Sequence, residues 1–182
     1  MERGAEPGVP ASRPVTAAIR PLTAADAGAV WTLLCEFADY ERLSHLVSGG
    51  ADRLAAHLSG EAWPGVEGFI AEENGVPIGY ALYFGVFSSF TTSPLVWLED
   101  LYVRGSRRGL GLGRSLMGAV AQVALARGCQ RLEWGVLDWN EPALEFYRRL
   151  GATRQDGWKV YQLESEQLRA LALGGGVRAG SG

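Results

Sequence analysis

Trp97-Leu98-Glu99-Asp100-Leu101-Tyr102-Val103 is followed closely by Arg108-Gly109-Leu110-Gly111-Leu112-Gly113, and then by a run with helical spacing. This reads as a strand ending in a glycine-rich turn that opens a helix. A helix start presents unpaired backbone N–H groups and partial positive charge. Glycines let that backbone approach an anion with no side chain in the way, and Arg108 adds a cation at the head of the turn. The segment therefore suits a phosphate or pyrophosphate. With 25 glycines in 182 residues, a chance R-x-x-G-x-G is not rare, so the turn needs support from its surroundings. No Gly-Lys-Ser/Thr follows it, which argues against a nucleoside-triphosphate loop. Several strands precede it, and no repeated βαβ frame places an acidic residue after it, which argues against a dinucleotide-binding fold.

Working outward, Ala18–Leu22 reads as a first strand, with Thr23 capping a helix that carries Asp26 in its first turn. Val30, Leu33, Leu34, Phe37 and Ala38 form that helix's apolar stripe, and a shorter helix is expected around Asp52–Leu58. Phe69–Glu72 and Pro77–Phe87 read as strands joined at Asn74-Gly75, a strong hairpin signal. Leu95–Val103 is the next strand. Leu116, Val120, Val123 and Arg127 mark one face of a long helix that stops at Gly128. Arg131–Leu137 is expected as a strand. Asp138-Trp139-Asn140-Glu141-Pro142 then opens a helix whose apolar face is Leu144, Phe146, Tyr147 and Leu150. Trp158–Leu163 is expected as a last strand and Ser165–Leu173 as a terminal helix. The order gives an α/β (α+β) fold, a mixed sheet with helices on both faces. Residues 1–16 are expected to be a disordered lead, 17–173 a single domain and 174–182 a flexible Gly-rich tail.

Composition narrows the function. A hydrophobic fraction of 47% and a charged fraction of 20% are those of an ordinary globular chain, and a net charge of -3 gives no reason to expect nucleic acid or an anionic membrane. No stretch reaches membrane-spanning length. Two cysteines, Cys35 and Cys129, make no disulfide framework, so a reduced, cytoplasmic protein is the default. His45 and His57 have no metal-ligand spacing, so no metal site is expected.

Four segments in order carry a resemblance. They are Trp97–Val103, Arg108–Gly113, Asp138–Pro142 and Phe146-Tyr147-Arg148-Arg149-Leu150-Gly151-Ala152, with Ile19-Arg20-Pro21 and Ala38-Asp39-Tyr40-Glu41 near the start. Over roughly residues 18–171 the chain resembles the GCN5-related N-acetyltransferase superfamily (GNAT), and within it the diamine (spermidine/spermine) acetyltransferases. The resemblance implies a sheet with one splayed pair of parallel strands, acetyl-CoA as cofactor and a homodimer. The turn Arg108, Gly109, Leu110, Gly111, Leu112, Gly113 with Arg114 would hold the pyrophosphate. The strand end Leu101, Tyr102, Val103 would pair with the peptide-like pantetheine arm as a missing strand would, and Asn140 would touch that arm or serve only as a helix cap.

The implied reaction moves an acetyl group from a thioester to a primary amine of a small molecule, directly, since neither cysteine sits in a nucleophile context. A lysine-like amine is charged at neutral pH, and neutralising it costs roughly 4–5 kcal/mol. The site must therefore accept a proton and also protonate the leaving thiolate. Tyr147 is the candidate acid, because a phenol near pKa 10 is protonated at neutral pH yet can share its proton with a thiolate. Glu99 and Asp100 are candidate acceptors. Neighbours on a strand point to opposite faces, so the two cannot act as one paired site: one is expected to face the substrate cleft and the other to make a structural hydrogen bond. The resemblance favours Glu99 as acceptor and places Asp100, Tyr40, Glu41 and Asp156 around the amine. Ser88 and Phe90 stand about where polyamine enzymes carry an acidic residue and a Trp, so a compact amine is as plausible as a long polyamine. A protein lysine or N-terminal acetyltransferase, or a non-enzymatic acyl-CoA sensor, remain the alternatives.

Overall fold

The computed structural model describes residues 17–174, and these group into two compact units that divide between Trp139 and Asn140. The first holds β1 (Ala18–Pro21), α1 (Ala27–Glu41), α2 (Ala51–Ser59), β2 (Glu67–Glu73), β3 (Val76–Ser88), β4 (Ser93–Val103), α3 (Leu112–Ala126) and β5 (Leu132–Glu133). The second holds α4 (Glu141–Arg149) and α5 (Ser165–Gly174).

The sheet order is β1-β2-β3-β4-β5. The first four strands are antiparallel neighbours, and β5 runs parallel to β4. The hairpin between β2 and β3 turns on Asn74 and Gly75, both at positive φ (53° and 76°), as a two-residue turn matching strand twist requires. The two sheet faces are covered by different helices. On one, Tyr80, Leu82, Tyr102 and Ile70 pack with Val30 and Leu33 of α1. On the other, Glu67 of β2 reaches Arg127, the residue that caps the C-terminal end of α3. The entry to α1 is fastened by Arg20, which donates to both Asp26 (2.7 Å) and Glu72 (2.7 Å), while Asp26 also accepts the Thr23 backbone N–H.

Two expected strands differ. Arg131–Leu137 pairs only at Leu132 and Glu133, against Val96 and Trp97. Beyond Trp97 the ladder to β5 ends, next to a register shift in the pairing of β4 with β3. Trp158–Leu163 forms no strand: Trp158, Val160 and Tyr161 are all exposed and find no ladder partner among the described residues. The apolar residues Trp158, Val160, Tyr161 and Leu163 suit a strand, but a strand also needs a neighbouring edge. The terminal helix reaches Gly174, one residue into the expected tail. The expected lead 1–16 and the rest of the tail, 175–182, lie outside the described residues. No described helix is long and apolar enough to cross a membrane.

Candidate active site

The pairing of β3 with β4 decides the chemistry. Leu82 faces Asp100, and the next residue, Tyr83, faces Leu98. One step on β3 therefore matches two on β4, and Glu99 is the extra residue of a β-bulge. Tyr83 lies on the α3 face, beside its cross-strand partner Glu67, and so does Leu98. Asp100 lies on the α1 face with Leu82. The inserted residue breaks the alternation, so Glu99 and Asp100 both turn to the α1 face. The expectation that they point apart is corrected: period-2 alternation holds only where the ladder is regular.

The two carboxylates differ in environment. Glu99 is exposed and accepts the Trp97 indole N–H at 2.9 Å. Asp100 is half-buried and accepts the hydroxyl of the fully buried Tyr80 at 3.1 Å. Burial pushes the Asp100 carboxyl up to about 6, the Tyr80 hydrogen bond opposes that rise, and the negative charges of Glu99 and Glu41 add to it. Tyr80 is itself pushed well above the ordinary phenol range, first by burial and then by the Asp100 charge, so it remains a proton donor.

Tyr40, near the end of α1, stands beside Trp139 with ring centroids 6.2 Å apart. The Arg108 guanidinium lies over the Tyr40 ring, 4.2 Å from its centroid, and its Nε donates to the Val103 carbonyl at 2.9 Å. That carbonyl belongs to an open edge. Arg104 N–H donates to Ile78 C=O, so the alternate residues Leu101 and Val103 turn their N–H and C=O groups away from β3. They face the side where β5 has stopped pairing. Tyr102 differs, since its backbone groups pair with β3 and its side chain packs in the core below. The glycine turn ends at Gly111, which caps α3 at φ +85°. The first amide of this turn to be paired along the helix is that of Ser115, with Gly111 C=O, which leaves the Leu112, Gly113 and Arg114 N–H groups at the helix mouth. A Cβ added at Gly109 or Gly111 meets nothing within 4 Å, and the glycines serve the positive φ there (+80° and +85°). Open strand edge and bare helix mouth together suit a peptide-like arm carrying a pyrophosphate.

Ser88 is buried, and its hydroxyl accepts from Arg131 at 3.3 Å, while Phe90 is 90% exposed. Arg131 also pairs with Glu133. Among the described residues no cluster of His, Cys, Asp or Glu could hold a metal ion.

The profile of the acetyltransferase (GNAT) family matches residues 34–152. The chain belongs to this family. Thialysine N-epsilon-acetyltransferase of Mus musculus is 36% identical over 165 residues, covering 85% of this chain and 96% of that protein. The same-named protein of Caenorhabditis elegans is 31% identical over 144 residues, covering 78% and 88%. Among solved structures, an integron cassette protein from the mobile metagenome of V. cholerae superposes with a TM-score of 0.72 at 28% identity, over 86% of this chain and 97% of that one.

In this GNAT acetyltransferase the second unit carries the remaining expected residues. Asn140 caps α4, its side chain accepting the Ala143 N–H at 3.3 Å with Pro142 in the first turn. Tyr147 lies on the half-buried stripe of α4, its ring 5.1 Å from that of Phe146. Asp156 is exposed and pairs with Arg154 at 3.0 Å. The bulge brings Glu99 and Asp100 together on one face. The residue that sequence reasoning missed is Tyr80. Its signal was a hydroxyl inside the apolar run Ile78-Gly79-Tyr80-Ala81-Leu82, since a buried Tyr O–H needs a partner.

Proposed function

We propose that this acetyltransferase moves an acetyl group from acetyl-CoA to a primary amine of a small molecule of diamine or amino-acid type, by direct transfer. The observation that carries the reading is the bulge at Glu99, which sets two carboxylates side by side on the face where Glu41 also acts on Asp100. Such a group of acids attracts an ammonium ion and can take its proton. The similarity to thialysine acetyltransferases over nearly their whole length supports a compact amine, and position 88 carries a serine rather than an acid that a longer polyamine could use.

Acetyl-CoA supplies the acetyl group as a thioester. Leu101 and Val103 would pair with its pantetheine arm along the open edge, with Arg108 releasing the Val103 carbonyl. The amides of Leu112, Gly113 and Arg114, in the turn that Gly109, Leu110 and Gly111 shape, would hold the pyrophosphate. Glu99, exposed and oriented by Trp97, takes the amine proton, directly or through a water. Asp100 and Glu41 anchor the ammonium, with Tyr40 as an aromatic wall. Tyr147 gives its proton to the leaving thiolate. Asn140 serves α4 as its cap. The same reading has the enzyme working as a cytoplasmic homodimer, and sedimentation equilibrium on the full chain tests the oligomeric state.

The test is CoA release by purified protein with acetyl-CoA and thialysine, ornithine, putrescine, spermidine, small monoamines or a lysine-containing peptide. Turnover is expected on a compact amine, with Tyr147→Phe losing nearly all of it while retaining affinity for acetyl-CoA. Turnover on the peptide alone would replace the reading with protein acetylation, and acetyl-CoA binding without turnover on any amine would replace it with a sensor.

A further inference from the structure

This inference rests on the amine-acetylation reading above. Tyr80 is wholly buried in the middle of β3, packed with Val30, Leu33, Ile70, Leu82 and Tyr102. A phenylalanine would fill nearly the same volume in that cluster. Packing therefore explains the ring and not the hydroxyl, and a hydroxyl in an apolar core needs a partner. The register provides it. Tyr80 faces Tyr102 and Leu82 faces Asp100, so Tyr80 and Asp100 are diagonal neighbours on one face, and the hydroxyl reaches Asp100 Oδ2 at 3.1 Å.

Asp100 is under opposed influences. Burial, Glu99 and Glu41 all disfavour its charge, whereas the Tyr80 O–H favours it. The titratable and charged groups around it come from three elements and the turn. β3 contributes Tyr80. β4 contributes Glu99 and Tyr102. α1 contributes Glu41, while Glu36 of the same helix is bound to Arg104 and accepts from the Tyr102 hydroxyl. The turn contributes Arg108, engaged with the Tyr40 and Tyr102 rings and the Val103 carbonyl. Among the described residues that act on Asp100 directly, Glu99 and Glu41 repel its charge and Tyr80 favours it.

We propose that Tyr80 is a positioning residue for acetyl transfer: its O–H holds Asp100 as an oriented anion beside Glu99 and so sets the lowest pH at which the site takes up a cationic amine. The residue touches the amine only through Asp100. Because it keeps its own proton, it acts as a fixed donor through the working range.

The experiment measures kcat/KM for the amine from pH 5 to 9.5 in the wild-type enzyme, Tyr80→Phe and Asp100→Asn, with KM for acetyl-CoA as a control. The wild type is expected to show an acid limb near pH 6. Losing one neutral hydrogen bond to the anion should move that limb up by about half to one pH unit in Tyr80→Phe. Its kcat/KM at pH 6 should then fall about 2- to 6-fold and recover above pH 8.5. Asp100→Asn should lose the limb. A loss of the same size at every pH, or a limb that does not move, overturns the proposal, because a merely structural role lacks the recovery. The Asp100 carboxyl is also titrated by carbon NMR, identified by its absence in Asp100→Asn. Its midpoint must rise in Tyr80→Phe, and an unchanged midpoint overturns the proposal without reference to turnover. An NMR shift together with no wild-type turnover on any amine would refute amine acetylation and leave Tyr80's control of Asp100 standing.

Discussion

Asp100→Asn should make this protein more stable and less active, and the gain in stability should depend on pH. In the fold the Asp100 carboxyl is pushed from 3.8 up to about 6, because burial and the neighbouring carboxylates disfavour its charge. The folded state therefore holds this proton more tightly than the unfolded chain does. The stability belonging to the protonated carboxyl is fully present below about pH 4 and is lost as pH rises through about 6. An elevation of about two pH units corresponds to about 3 kcal/mol at most above pH 6, and solvent access to a half-buried group reduces this to about 1–3 kcal/mol. Asparagine removes the charge yet keeps an oxygen to accept the Tyr80 O–H, so no buried donor is orphaned. Calorimetric melting from pH 4 to 8 is the assay. The two proteins should melt together at pH 4 and separate steadily, the variant melting about 3–8 °C higher by pH 7.5. Its kcat/KM for the amine should fall about tenfold or more, since an ammonium ion loses a charge-assisted partner. A variant less stable than wild type at pH 7.5, or a gap that does not change with pH, would refute the account of Asp100 as a strained anion.

Glu99→Gln should lower kcat by about 100-fold with little change in KM for acetyl-CoA, measured by CoA release, because it removes the proposed acceptor and leaves the open edge intact. Gly111→Ala places a side chain at φ +85°, which costs about 1–2 kcal/mol and distorts the helix mouth; isothermal titration should show weaker acetyl-CoA binding. Gly79→Ala would bring its Cβ within 2.7 Å of the Tyr102 carbonyl oxygen, between two paired strands that cannot part cheaply. Urea unfolding should show a loss of about 2 kcal/mol or more. Arg20→Gln leaves Asp26 and Glu72 unpaired, and because Arg20 is partly exposed the loss at pH 7 is about 1 kcal/mol. Arg20 holds the Asp26 carboxyl well below the usual carboxylate range, so this contribution is present above about pH 4 and fades as pH falls. The gap between the wild type and Arg20→Gln should narrow in acid.

Much of the fold was legible because the responsible interactions are local. Asn74-Gly75 announces a hairpin because both residues tolerate positive φ, and the chain turns there. The stripe containing Val30 and Leu33 repeats at helical spacing and buries the face it marks. Asn140 caps α4 through an N–H only three residues away. The candidate site was legible as a set of residues but not as an arrangement. Ser88 is named from its position in the sequence, but its partner Arg131 lies 43 residues away. Tyr80 meets Asp100 across two strands, 20 residues apart. Trp158–Leu163 has the composition of a strand without being one, because ladder pairing belongs to two segments and composition to one.

The sequence by itself determined the family, the glycine turn, the strand that carries Glu99 and Asp100, and the helix that carries Tyr147. Each follows from residue types and short spacings that constrain the backbone where they stand. Only the tertiary structure decided that Glu99 and Asp100 share a face, that Tyr80 serves Asp100, and that Leu101 and Val103 line an open edge. The reason is physical. A bulge exists only in the register between two strands, a carboxyl's ionisation depends on what buries and faces it, and a strand edge is open only where its neighbour has departed.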